Sequence, residues 1–182
     1  MRNDIDKQNR INTGYKTKYI AMYALMIALA MIFSYVEVLI PIPFMVPGMK
    51  LGLANIVTMV ALYSMRSKDA FIISIIRVLL SSLLFGNFFS LAYSMAGGLF
   101  SLLIMVLLKK TEKFSIIGVS VAGGVCHNIA QIGVAAVLLE TSEFIYYLPV
   151  LLITGAITGC LIGIIGGLAL KKLTFLKAFK TQ

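Results

Sequence analysis

The residues that could do chemistry are a few charged and polar side chains set inside long apolar runs. Arg77 is flanked by Ile75, Ile76, Val78, Leu79 and Leu80, with Ser74 and Ser81 on its helical face. Glu37 stands near the end of the first apolar run. A charge inside hydrocarbon is expensive and reads as functional, with a partner expected. For Arg77 two readings stand side by side: contact with an anionic ligand, or a structural ion pair or carbonyl clamp. Glu37, near the outer end of the first helix, could reach water, and a Glu37–Arg77 pair would have to bridge a difference in depth. His127 and Gln131 are one helical turn apart and share a face, with Asn128 beside them. Such groups must face protein or a cavity, because an unsatisfied polar group in lipid is costly. They serve either a ligand or a hydrogen-bonded network. Asn87, Ser90, Ser94, Gly97 and Ser101 recur in steps of three and four, which makes one polar, small-residue stripe on a helix.

Residues 41–52 are apolar yet hold three prolines and two glycines, so a regular helix is excluded there. The segment is expected to lie over one end of the protein as a lid, with Lys50 and Asn55 near the ends of the other helices. Glu37, Lys50, Asn55, Asn87, Ser90, Ser94, His127, Asn128 and Gln131 then fall in the middle or outer half of a membrane, with Arg77 deeper. This pattern predicts an outward-opening pocket for a small polar or amphipathic ligand, largely apolar with a few placed polar groups. Lys50 and Arg77 suit an anionic group. Catalysis finds little support, because no nucleophile–base spacing is present. Cys126 and Cys160 sit in apolar runs without a CxxC or Cys/His spacing, so they read as buried thiols, and no metal site or cofactor is expected.

These residues need helices to carry them. The chain is 60% hydrophobic and 13% charged, against about 25% charged in soluble domains; lipid is therefore the expected solvent. The net charge of +9 does not point to nucleic acid, because the basic residues fall in short blocks between apolar runs. A span needs about 20 apolar residues to cross about 30 Å of hydrocarbon. Residues 19–40, 51–65, 70–85, 88–108, 115–139 and 147–170 are the candidates, the second and third being short. Arg2, Lys7, Arg10, Lys16 and Lys18 precede the first. Arg66 and Lys68 separate the second and third; Lys109, Lys110 and Lys113 separate the fourth and fifth; Lys171, Lys172, Lys177 and Lys180 follow the sixth. The other three connections hold one basic residue, Lys50. Six spans put every basic block on one side, the cytoplasmic side by the positive-inside rule. If 51–65 failed to cross, the block at 109–113 would land outside. The expectation is an all-α integral membrane protein of the plasma membrane. It is a six-helix bundle over residues 18–171, with cytoplasmic tails at 1–17, expected to be frayed, and at 172–182. Arg77 would then lie about 13 Å from the cytoplasmic end of its helix, at 1.5 Å per residue.

Two small-residue seams complete the pattern. Gly155, Gly159, Gly163 and Gly167 share one helix face, which allows close backbone approach, either inside the bundle or at a subunit interface. Ala24 and Ala28, with Ala21 nearby, form an AxxxA seam, either for internal packing or for docking a partner.

Four runs carry a resemblance. They are Pro-Gly-Met-Lys-Leu-Gly-Leu-Ala-Asn at 47–55, Arg-Val-Leu-Leu-Ser-Ser at 77–82, Tyr-Ser-Met-Ala-Gly-Gly at 93–98 and His-Asn-Ile-Ala-Gln at 127–131. In this order, over about residues 18–170, the chain resembles the Gx transporter family, also labelled heptaprenyl diphosphate synthase component I. Prenyl diphosphate synthases hold Mg²⁺ and diphosphate with aspartate-rich motifs, whereas this chain has only Asp4, Asp6 and Asp69. Under that label the chain would be a noncatalytic membrane partner of a separate synthase. The family is in turn similar to the substrate-binding S components of energy-coupling factor (ECF) transporters. That similarity implies six helices, cytoplasmic termini and an outward pocket capped by the first external loop. It also implies an AxxxA seam at Ala24 and Ala28 that docks on the coupling subunit, and uptake of a vitamin or cofactor precursor driven by partner ATPases. No Walker A motif is present, so ATP hydrolysis would belong to another subunit. Flavin-like, quinone-precursor and prenyl ligands all stay open. So does a standalone carrier coupled to protonation of Glu37 or His127.

Overall fold

A computed structural model describes residues 2–40, 52–138, 140 and 146–179, with side chains over 17–40, 52–138, 140 and 146–173. The described residues form six α-helices: α1 (Arg2–Leu39), α2 (Ala54–Ser64), α3 (Ser67–Phe85), α4 (Phe88–Lys110), α5 (Ile116–Leu138) and α6 (Leu148–Phe179). Four stretches are long and apolar enough to cross a membrane: Thr17–Leu39, Phe88–Lys110, Ile116–Leu138 and Leu148–Leu173. Large apolar side chains such as Ile20, Leu25, Leu83, Phe88, Val137 and Leu168 face outward on this bundle. Water would penalise such a surface; lipid does not.

Three sequence expectations change. The stretch expected as a separate N-terminal tail is helical, and α1 runs from Arg2. No proline interrupts residues 2–18, so the first span's helix can extend back through them despite Gly14 and three asparagines. The backbone of α6 likewise continues past the expected tail boundary to Phe179. The helix within 51–65 has only eleven residues, about 16 Å, roughly half of a hydrocarbon core. By itself it does not cross.

The chain folds as two groups of three helices. α1, α2 and α3 pack on one another; α4 packs on α5, and α5 on α6. The groups join through α3 against α4 and α2 against α6. α2 is central, with Ala54 and every residue from Ile56 to Leu62 buried. α1 turns Met26, Ala30, Ser34 and Glu37 inward. Ala24 and Ala28 lie two residues out of phase with this stripe, about 200° around the helix, and are exposed, as is Ala21. Among the described residues, the AxxxA seam is therefore left facing outward.

α5 and α6 run antiparallel with backbones nearly touching. A Cβ on Gly155 would come within 2.8 Å of the Gly124 carbonyl oxygen, one on Gly159 within 2.7 Å of the Ser120 carbonyl oxygen, and one on Gly163 within 2.8 Å of Ile117 Cα. Gly167, on the same face, has nothing within 4 Å. Its neighbour Gly166 instead faces Met59 of α2. α4 and α5 are also antiparallel, with Gly123 against Met105 and Ser101.

Candidate functional site

The site forms where the two helix groups meet, and α2 sets its floor. α2 has no serine, threonine, aspartate or asparagine in front of it; its N-cap is Leu53, which makes no side-chain cap. Gly52, with φ +80°, turns the chain into the helix through a conformation that a side chain disfavours. The missing cap comes from another helix. The Glu37 carboxylate of α1 accepts a hydrogen bond from the Leu53 N–H at 2.6 Å. An anion at a helix N-terminus also complements the helix dipole. Glu37 is thus buried at 8% exposure. It does not reach water as the sequence allowed: its side chain is buried against the start of α2.

Arg77 of α3 reaches the same place. Its Nη2 donates to Asn55 Oδ1 at 3.1 Å, in the first turn of α2. Asn55 Nδ2 in turn lies 3.1 Å from where a Cβ on Gly52 would stand. Arg77 is 8% exposed and interacts electrostatically with Glu37. The two side chains are thus linked through the start of α2, Glu37 to Leu53 and Arg77 to Asn55. Across the group boundary, a Cβ on Gly98 of α4 would stand 3.7 Å from Ser74 Oγ and 4.0 Å from Arg77 Nη2.

Gly97 makes room for α5. A Cβ there would come within 2.9 Å of His127 Cε1 and Nε2 and 3.0 Å of Gln131 Cγ. The His127 ring hydrogen-bonds to the Gly97 backbone and interacts electrostatically with Arg77. Arg77, Asn55, Glu37, His127 and Gln131 therefore converge on the helix junction around Gly97 and Gly98. Two of their buried nitrogens, Arg77 Nε and His127 Nδ1, have no hydrogen-bond partner among the described residues. Thr58 Oγ1 and Ser82 Oγ share that condition. Such groups are rare in folded proteins and call for an explanation.

The other candidates lie elsewhere. Asn128 is one residue, about 100°, from His127. It donates from Nδ2 to the Leu151 carbonyl at 2.6 Å and so ties α5 to α6. Asn87 is exposed and caps α4, its Oδ1 accepting from the Ser90 N–H at 2.8 Å. Ser90 Oγ lies against Gly86, and Ser94 is half-buried one turn before Gly97. Lys50 lies outside the described residues.

The chain matches the family model for heptaprenyl diphosphate synthase component I over residues 26–169. It belongs to that family. No curated protein and no solved structure matches it. The family match covers the whole helix junction, from Glu37 to Gln131, and stops short of Ala24. The family's name describes a component of a synthase. Among the described residues no cluster of three His, Cys, Asp or Glu could hold a metal ion.

A second polar cluster escaped the sequence reading. At the end of the bundle where α1 enters, Asp69 of α3 accepts from the Tyr19 hydroxyl, from the Tyr23 hydroxyl at 2.7 Å and from the Arg66 N–H at 3.0 Å. Arg66 stacks over the Tyr19 ring at 5.5 Å. Burial by itself would raise the Asp69 carboxyl. The hydrogen bonds from Tyr19, Tyr23 and the Arg66 backbone, with the Arg66 charge, outweigh it and hold the group below the usual carboxylate range. Beside it, Lys109 of α4 donates to the Leu62 carbonyl at 2.5 Å and lies over the Tyr63 ring at 5.0 Å, closing the end of α2. The available signal was Tyr19 and Tyr23 at i, i+4, with an aspartate at the third position of a helix.

Proposed function

We propose that this membrane protein captures a small vitamin or cofactor-precursor molecule in a pocket at the helix junction and hands it inward after docking on separate ATP-hydrolysing ECF subunits. The chain would cross the plasma membrane six times with both termini cytoplasmic. The observation that carries this reading is the convergence of Arg77, Asn55, His127 and Gln131 on Gly97 and Gly98, with buried donor and acceptor nitrogens left over. A purely structural network gains stability by satisfying its members; a binding site keeps unmatched groups for its ligand. Lys50 joins Arg77 as a cation for the ligand in this proposal. The exposed Ala21, Ala24 and Ala28 face of α1 supports docking, since small residues let another membrane helix approach closely.

Native mass spectrometry of the purified protein tests the reading. A co-purifying small molecule together with ECF subunits is the expected result. Neither appearing, under conditions where a known S component retains both, would sink it. Ala28→Leu should remove the ECF subunits while the bound molecule stays. The family's name favours a second reading, a noncatalytic membrane partner of a prenyl diphosphate synthase. Recovery of that synthase with no saturable small ligand would select it.

A further inference from the structure

The start of α2 is an anion-binding end inside the protein. Its first turn sits beside a guanidinium, its N-cap residue offers a backbone N–H, and its dipole favours negative charge. One group already answers this field: the Glu37 carboxylate, on the Leu53 N–H at 2.6 Å. The second observation is Arg77. It is more than nine-tenths buried, directed at the first turn of α2 by its hydrogen bond to Asn55, and its Nε still has no partner among the described residues. An arginine has five N–H donors in a fixed fork suited to carboxylates. Using one edge on an asparagine leaves that fork incomplete. The chain thus supplies a carboxylate at the helix end and leaves donor capacity on the guanidinium beside it.

We infer that the first turn of α2 and Arg77 form a carboxylate site that Glu37 fills from within the chain, and that the captured molecule carries a carboxylate able to take Glu37's place. Glu37 then acts as a resident counter-ion. It keeps the buried arginine and the helix end tolerable when the pocket is empty, and it yields when a better-placed carboxylate arrives. The assignment rests on the capture reading for its biological ligand, but the site itself needs no partner subunit. A carboxylate is favoured over a phosphate because a carboxylate already occupies the Leu53 N–H.

The experiment is a thermal-shift titration of the purified full-length protein with sodium acetate against sodium chloride at equal ionic strength. In E37Q, which removes the resident charge while keeping the shape, acetate should raise Tm by roughly 3 °C, as a ligand at about five times its Kd gives a domain of this size. The wild type should move by less than about 1 °C on the same scale. The E37Q/R77Q double variant should lose the acetate response. If E37Q cannot be purified in chloride, its recovery in acetate becomes the readout, and rescue supports the site. An identical acetate response in wild type and E37Q, a response that survives R77Q, no rescue of an unstable E37Q, or an equal response to phosphate would each overturn the assignment. Failure here leaves uptake standing with a ligand that lacks a carboxylate. Absence of any co-purifying molecule, with the acetate response intact, would instead count against capture alone.

Discussion

Two buried polar clusters hold this bundle together, and they are solved differently. At the end where α1 enters, Asp69 accepts three hydrogen bonds, and Arg66 and Tyr19 stack above it. Its donors come from α1 and from the turn before α3, and none of its atoms is among the buried groups without partners. At the helix junction, Glu37, Asn55, Arg77 and His127 come from four different helices, and Arg77 Nε and His127 Nδ1 stay unmatched. The first cluster also borders solvent through Arg66, whose side chain is 78% exposed, so it can shed part of its charge to water. At the second, both charged side chains, Glu37 and Arg77, are buried at 8% exposure. A satisfied network fixes one geometry, whereas an incompletely satisfied one is costly unless something else completes it. That difference separates a structural clamp from a candidate binding site made of similar residue types.

Removing an acceptor should hurt most at the clamp. Asp69→Ala leaves two tyrosine hydroxyls and a backbone N–H without their anion and should cost about 3 kcal/mol, read from reversible unfolding in mixed detergent. A loss near zero would show that Asp69 does not clamp α1 to α3. At the junction, Arg77→Met alone should cost about 3 kcal/mol, because it leaves the buried Glu37 without this cation. The double variant Glu37→Gln, Arg77→Met should return to within about 1 kcal/mol of wild type, since apolar or neutral replacements of a buried pair are often close to neutral. It should nonetheless lose any co-purified ligand. A double variant less stable than the single one would make the junction structural and erase the contrast.

Acid sharpens the comparison further. The Asp69 carboxyl is held below its ordinary value of 3.8. Its contribution to stability is therefore complete above that value and is lost as the pH falls through the lowered folded value. A Tm profile from about pH 5 down to about pH 2.5 should show this loss in wild type, and Asp69→Asn should remove that part of the slope. The smallest effect belongs to Asn128→Ala, which removes one hydrogen bond between α5 and α6 and should cost about 1 kcal/mol. Unlike Arg77→Met, it should leave ligand retention unchanged.

Much of the bundle was legible in the chain because apolar runs and basic blocks are local signals. The membrane class and the four long apolar helices follow from stretches that cannot be hydrated. The face shared by His127 and Gln131 follows from their four-residue spacing, and the unusual cost of Arg77 from its apolar neighbours. Local signals also misled in places. Asn87 and Asn128 looked like members of the same polar set, yet one caps α4 and the other ties α5 to α6. Periodicity gives the direction of a side chain around its own helix, not which neighbouring helix it meets.

Sequence alone determined that this chain belongs in lipid and that a few of its polar groups need company there, because hydration free energy depends on residue type and run length. Tertiary structure alone decided the company. Glu37 caps a helix sixteen residues away, Arg77 meets Asn55 across two helices, and Ala24 and Ala28 turn outward. Those outcomes depend on helix crossing, register and length. An eleven-residue α2 that begins partway along its neighbours brings a helix end, an acid and an arginine together at one depth.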